Sequence, residues 1–138
     1  MTSISDTARG HLARSLPLLQ MHREALVAAI EASFAAAAER DEGFGRPGLA
    51  AAMLVDLLIE QGRRLADGAA AGDLGRAAGE HRAAGLTGRH YSRFGDALIP
   101  SLNDVLGPNL PRQVAAAWCD AFWAAIAAMR PQPEPVSG

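Results

Sequence analysis

Apolar residues recur at helical spacing along most of the chain. Between positions 23 and 39, Leu26, Ile30, Phe34 and Ala37 follow one another at intervals of four, four and three, which places them on one face of a helix. No stretch alternates apolar and polar residues over six or more positions, and aromatic residues make up only 5% of the sequence. Both features disfavour strands. The pattern therefore predicts an all-α fold.

Start and stop signals divide this pattern into amphipathic helices joined by short loops. The predicted helices span residues 6–21, 23–39, 47–67, 73–84, 88–106 and 111–129. Thr87 can cap the fifth helix, and Gly85 is expected to adopt a positive φ at the end of the fourth. Residues 1–130 are predicted to form one domain. The proline-rich tail at 131–138 is predicted to be disordered.

Charge and composition exclude several classes of protein. The 138 residues carry a formal net charge of -2, so neither nucleic acid nor an anionic membrane is expected as a partner. No apolar run is long enough to span a bilayer, and the polar N-terminus, MTSISDTARG, is unlike a signal peptide. A cytoplasmic location is therefore expected. Cys119 is the one cysteine and cannot form an internal disulfide.

Among the histidines, His81 is the strongest candidate for chemistry. It lies near the end of a short predicted helix, beside Glu80 and Arg82. Taken alone, a histidine between two charged residues is ordinarily a solvated one. The small residues around it would let a flat cofactor approach: Ala77, Ala78, Gly79, Ala83 and Ala84. The sequence has no CxxC, HExxH or CxxCH pattern, so neither a zinc site nor covalently attached haem is indicated.

Residues 77–102, AAGEHRAAGLTGRHYSRFGDALIPSL, resemble the haem-ligating region of bacterial flavohaemoglobin-type globins. In that family the proximal histidine is likewise followed ten positions later by a tyrosine that begins a long helix, as Tyr91 follows His81. Shorter matches are LPLL at 16–19, AW at 117–118 followed by Phe122, and VLG at 105–107. The resemblance covers most of the chain in helix order, and its specific part is the segment around His81 and Tyr91.

The resemblance implies a globin fold of five to six main helices around a haem pocket, with a short or absent D helix. It implies haem b as the cofactor, with His81 bound to the iron and Tyr91 beside it. Phe44 takes the position that packs on the porphyrin, because it lies ten residues after Phe34. The other residues assigned to the surroundings of the cofactor are Ile30, Leu49, Met53, Arg89, His90 and Phe94.

Two groups of these residues have distinct expected roles. Arg89 and His90 are candidates for contacts with the haem propionates, as are Arg82 and Arg46. Each of these arginines is equally typical of a solvated surface. Phe94, which shares a helix face with Tyr91, is expected mainly in the protein core.

The ligand side of the expected pocket departs from the family. Flavohaemoglobin-type globins carry a tyrosine in the second helix and a glutamine in the next, and the alignment puts Ile30 at the tyrosine position. Leu49 and Met53 then lie over the pocket, with Gly45 as the alternative to Leu49. None of these side chains donates a hydrogen bond, so tight retention of O2 is not expected. The late glutamate of the family falls near position 133, beside Glu134 in the tail.

Three functions from different classes are compatible with these residues. The favoured one is a haem-binding globin that binds O2, CO or NO for carriage, storage or sensing. The second is an NO dioxygenase or peroxidase-like globin, which would depend on a separate reductase because no flavin and nicotinamide domain is found in the sequence. The missing reductase domain and the apolar ligand side both count against an enzyme. The third is a haem-free globin-fold module for signalling. A homodimer is compatible with all three.

Overall fold

The computed structural model describes residues 5–41, 44, 50–68, 74–107 and 110–129. These residues form six α-helices and no strand, so the predicted all-α class is confirmed. The helices are α1 (Asp6–Met21), α2 (Arg23–Arg40), α3 (Ala50–Ala66), α4 (Leu74–Ala83), α5 (Gly88–Leu106) and α6 (Arg112–Met129). Gly45, Arg46, Leu49 and the tail at 131–138 lie outside the described residues.

The helix boundaries follow the sequence pattern closely. Both predicted ends of α1 and α5 are confirmed, as are the start of α2 and the end of α6. The end of α2, the end of α3, both ends of α4 and the start of α6 differ from the prediction by one residue, while residues 47–49, at the predicted start of α3, lie outside the described residues. Ser5 caps α1, since its hydroxyl accepts a hydrogen bond from the Ala8 N–H at 3.1 Å. Gly85 has a φ of 95°, the positive value predicted for the residue that ends the fourth helical segment.

The last helix, α6, lies at the centre of the packing. It contacts α1, α3, α4 and α5, while α2 packs mainly against α5 and α3. Trp118 and Phe122 of α6 are completely buried, and so are Ala121 and Ala125 on the same face. Even so, none of the described helices is long and apolar enough to cross a membrane.

Trp118 joins three helices. Its indole N–H donates to Ser15 Oγ in α1 at 2.7 Å, and the Ser15 hydroxyl lies 2.6 Å from the His11 carbonyl oxygen, to which it can donate. The buried indole nitrogen is thereby satisfied. In α3, Gly62 lies so close to the Trp118 ring that a Cβ atom at this position would overlap it. The close approach of α3 and α6 thus depends on the absence of a side chain at Gly62.

We expect Gly62→Ala to lower the free energy of unfolding by about 1 to 3 kcal/mol, the usual cost of adding a methyl group to a filled core. Gly79→Ala is the matched control, because Gly79 also lies inside a helix but a Cβ there meets nothing within 4 Å. That change should raise the free energy by about 0.5 to 1 kcal/mol, since alanine is the better helix former. Urea unfolding of both variants measures the difference, and equal stabilisation by the two changes would contradict the tight contact at Trp118.

Candidate functional site

A tight turn places His81 next to the start of α5. After α4, the Leu86 N–H donates to the His81 carbonyl at 3.0 Å, and Gly85 reverses the chain with its positive φ. Tyr91 then lies on the first turn of α5. Its hydroxyl oxygen is 3.1 Å from His81 Nδ1. His81 and Tyr91, which the resemblance placed side by side, therefore form a hydrogen-bonded pair in the structure.

Burial controls the protonation of both partners. The His81 side chain is buried, with 4% of the residue exposed. Burial lowers the pKa of His81 from its ordinary value of 6.5, and the charge of Glu80 acts in the opposite direction. Burial also raises the pKa of Tyr91, against the effect of the Arg82 charge. At neutral pH the pair is therefore a neutral imidazole beside a protonated phenol.

This arrangement distinguishes the two ring nitrogens of His81. The Tyr91 hydroxyl holds Nδ1, which leaves Nε2 as the nitrogen that can bind a metal ion. Within the described ranges, no group of three or more His, Cys, Asp or Glu residues could hold a metal ion by itself. Nε2 of His81 is thus the ring nitrogen that could serve as a single ligand of a metal ion.

A cavity of about 940 Å³ lies beside this pair. It is bounded by α4, the first half of α5, the second half of α6 and the end of α2. Its aromatic wall residues are Phe44, Tyr91 and Trp123, and its charged ones are Asp41, Arg82, Arg89, Arg93 and Asp96. The volume lies within the range of about 300 to 1,000 Å³ that is typical of small-molecule and cofactor sites.

His90 has a structural role that the sequence pattern did not reveal. It is 1% exposed, and its Nδ1 accepts the Thr87 N–H at 2.9 Å, so that Thr87 and His90 form a capping box at the start of α5. The ring also lies against Phe44, with centroids 4.6 Å apart, and Phe34 packs beside both. The imidazole is thus directed into the protein, where it packs against Phe34 and Phe44. A capping box is normally recognised in a sequence by a glutamate or glutamine three residues after the N-cap, and here a histidine occupies that position.

Some of the predicted site residues line the cavity, and others lie away from it. Phe44, Arg89 and Tyr91 line the cavity. The residues that do not border it are Ile30, Met53, His81, His90 and Phe94. Ile30 is 1% exposed inside α2, and Met53 is half-buried against the core. Phe94 is completely buried against Phe122, with ring centroids 4.6 Å apart, as expected for a core residue.

The contribution of α6 to the cavity was missed by sequence reasoning. Trp123, Ile126 and Met129 line the cavity. Ile126 and Met129 continue the helical spacing of Trp118 and Phe122, whereas Trp123 does not and is 39% exposed. The sequence signal for this part of the cavity was Trp123 itself, a large aromatic residue away from the apolar face of the helix.

We expect acid to destabilise the protein through His81. Because the pKa of His81 is lowered in the folded state, the unfolded chain binds a proton more readily, with a pKa of about 6.5. The contribution of neutral His81 is therefore complete above about pH 6.5 and is lost as the pH falls below that value. His81→Gln should flatten the decline of the free energy of unfolding with falling pH, by at most about 1.4 kcal/mol per pH unit. Urea unfolding between about pH 7.5 and 5 measures this. If the free energy of unfolding fell with pH equally in the wild type and in His81→Gln, the pKa of His81 would be the same in the folded and unfolded states.

Comparison with known proteins identifies no relative. No protein-family model, no curated protein and no solved structure matches this chain. The chain's own residues therefore carry the functional assignment.

Proposed function

We propose that this protein is a single-domain globin that holds haem b through His81 and reversibly binds a diatomic gas, O2, CO or NO. The observation that carries this proposal is the buried, neutral imidazole of His81, whose Nδ1 lies 3.1 Å from the Tyr91 hydroxyl. The hydrogen bond joins the two residues on which the resemblance to flavohaemoglobin-type globins depends.

His81 would hold haem through Nε2, and its hydrogen bond with Tyr91 fits that role. A histidine that binds haem iron needs a neutral imidazole whose second nitrogen is fixed by a hydrogen bond, so that the ring keeps its tautomer and orientation. His81 meets both requirements. Ala77 and Ala84, near it in sequence, have small, half-buried side chains. Haem, when bound, supplies the iron that takes the gas, while Tyr91 keeps the His81 ring in place.

The space for the macrocycle at His81 is filled by protein. His81 and Ile30 do not border the cavity, and both are buried. Haem at His81 would therefore require neighbouring side chains or helices to move apart. Phe44 and Tyr91, which belong to the expected surroundings of the porphyrin, line the cavity beside this position. Arg89 also lines the cavity, where it forms an ion pair with Asp41 at 2.7 Å.

The same closed core favours a second candidate function, a haem-free globin-fold module that acts in signalling. Phe34, Phe44 and His90 pack against one another, and His81 is covered. This packing needs no cofactor to fill it. The absorption spectrum of the purified protein separates the two functions, because only the haem protein shows a Soret band.

We expect His81→Ala to abolish haem retention or to weaken it strongly, because the substitution removes the imidazole that would bind the iron through Nε2 and that Tyr91 positions at Nδ1. His11→Ala and His22→Ala are the controls, since both histidines are only half-buried and lie far along the chain from Tyr91. The Soret absorbance per polypeptide, after gel filtration with an excess of haem, measures retention. Equal haem content in the His81 variant, without added imidazole, would disprove ligation by His81. His90→Ala is unsuitable as a control because it removes the cap of α5.

Tyr91→Phe tests the positioning role of the hydroxyl. We expect this variant to retain haem, since Nε2 of His81 is unchanged, but to shift the iron–histidine stretching frequency of the ferrous protein. The shift follows because the hydrogen bond at Nδ1 sets the basicity of the ring. Resonance Raman spectra of the wild type and Tyr91→Phe make the comparison, with Phe94→Leu as a core variant that should leave the frequency unchanged. Identical frequencies in Tyr91→Phe and the wild type would show that the hydroxyl does not position the ligand.

A further inference from the structure

We propose that the cavity beside Tyr91 binds a small aromatic carboxylate, with Arg82 as the partner of the carboxylate and Tyr91 and Trp123 against the ring. This site is separate from haem ligation, because His81 does not border the cavity. It therefore stands or falls independently of the proposed gas-binding function.

The charge of the cavity wall favours an anion. Three guanidinium groups, of Arg82, Arg89 and Arg93, face two carboxylates, of Asp41 and Asp96. Two of the arginines have partners: Arg89 is paired with Asp41 at 2.7 Å, and the Nε of Arg93 donates to Ser33 Oγ at 2.9 Å. Among the described residues, Arg82 forms no ion pair or side-chain hydrogen bond, so its guanidinium is the cation available to a ligand.

The uncharged part of the wall favours an aromatic body. Tyr91 and Trp123 line the cavity together with the aliphatic side chains of Ile126 and Met129. Trp123 is held in place by Gly95 in α5, because a Cβ atom at Gly95 would overlap its ring. Despite this contact, Trp123 remains 39% exposed. A flat apolar ligand would cover the exposed indole surface, and aromatic rings gain additional energy when they pack on one another.

The position of Tyr91 gives the site a functional consequence. Its ring lines the cavity, and its hydroxyl is hydrogen-bonded to His81 Nδ1. A ligand in the cavity therefore touches the residue that positions His81. Binding here would change the environment of the imidazole without a direct contact to it.

Naphthalene-2-carboxylate is a suitable probe, titrated into the haem-free protein and followed by calorimetry and tryptophan fluorescence. We expect one molecule to bind per chain and to quench the emission of Trp123, with the quenching lost in Trp123→Phe, since Trp118 is completely buried. Naphthalene-2-methanol, which has the same ring and no charge, should bind about fivefold more weakly, the effect of a single ion pair that water still reaches. Octanoate, which has the charge but no ring, should also bind more weakly.

Arg82→Gln tests the carboxylate partner. It should weaken the binding of naphthalene-2-carboxylate about fivefold and leave that of naphthalene-2-methanol unchanged. Arg112→Gln is the matched control, because Arg112 is an exposed arginine that does not line the cavity. Equal affinities for naphthalene-2-carboxylate and naphthalene-2-methanol, or no effect of Arg82→Gln, would overturn the proposal. Tighter binding of octanoate than of naphthalene-2-carboxylate would overturn the aromatic ligand in favour of a fatty acid.

A repeat of the titration with excess haem separates this site from the haem site. We expect naphthalene-2-carboxylate to bind whether or not haem occupies His81, with an affinity that haem changes, because Tyr91 touches both sites. Mutually exclusive binding of the two ligands would show that the cavity belongs to haem, and the separate site would be disproved. Absence of a Soret band together with probe binding would remove the gas-binding function and keep this site.

Discussion

The short connection between α4 and α5 determines the geometry of every candidate site in this protein. Its backbone returns onto α4 through the hydrogen bond from the Leu86 N–H to the His81 carbonyl, and Gly85 adopts the positive φ that the reversal needs. The capping box of Thr87 and His90 then fixes the first turn of α5. As a result, Tyr91 faces His81 on one side and the cavity on the other. A longer connection would remove both relations at once.

Burial of His81 has an energetic cost that the hydrogen bond with Tyr91 partly offsets. A polar ring taken out of water loses its solvation unless its nitrogens find partners. Tyr91 satisfies Nδ1, and the lowered pKa keeps the ring uncharged at neutral pH. Core positions are normally filled by apolar residues at lower cost. A histidine buried in this way is therefore a candidate for chemistry at Nε2.

The sequence predicted the helices well because their signals are local. The four-residue spacing of Leu26, Ile30 and Phe34 depends only on neighbouring residues. The part of the cavity wall that α6 forms was not predicted, because it depends on where α6 crosses α5. Trp123 comes to line it only because Gly95 permits a close contact between these helices. Such long-range packing leaves no periodic trace in the sequence.

Unequal anchoring of the helices indicates how the region around His81 could admit a cofactor. α3 is held to α1 and α6 through Gly62 and Trp118, and Arg23 of α2 pairs with Asp56 of α3 at 2.6 Å. α4 has ten residues and buries only Leu74 and His81. Elements with few buried apolar contacts open at the lowest free energy. α4 is therefore the helix whose displacement would cost the least free energy, and the hydrogen bond from Leu86 to His81 would keep its end close to the start of α5.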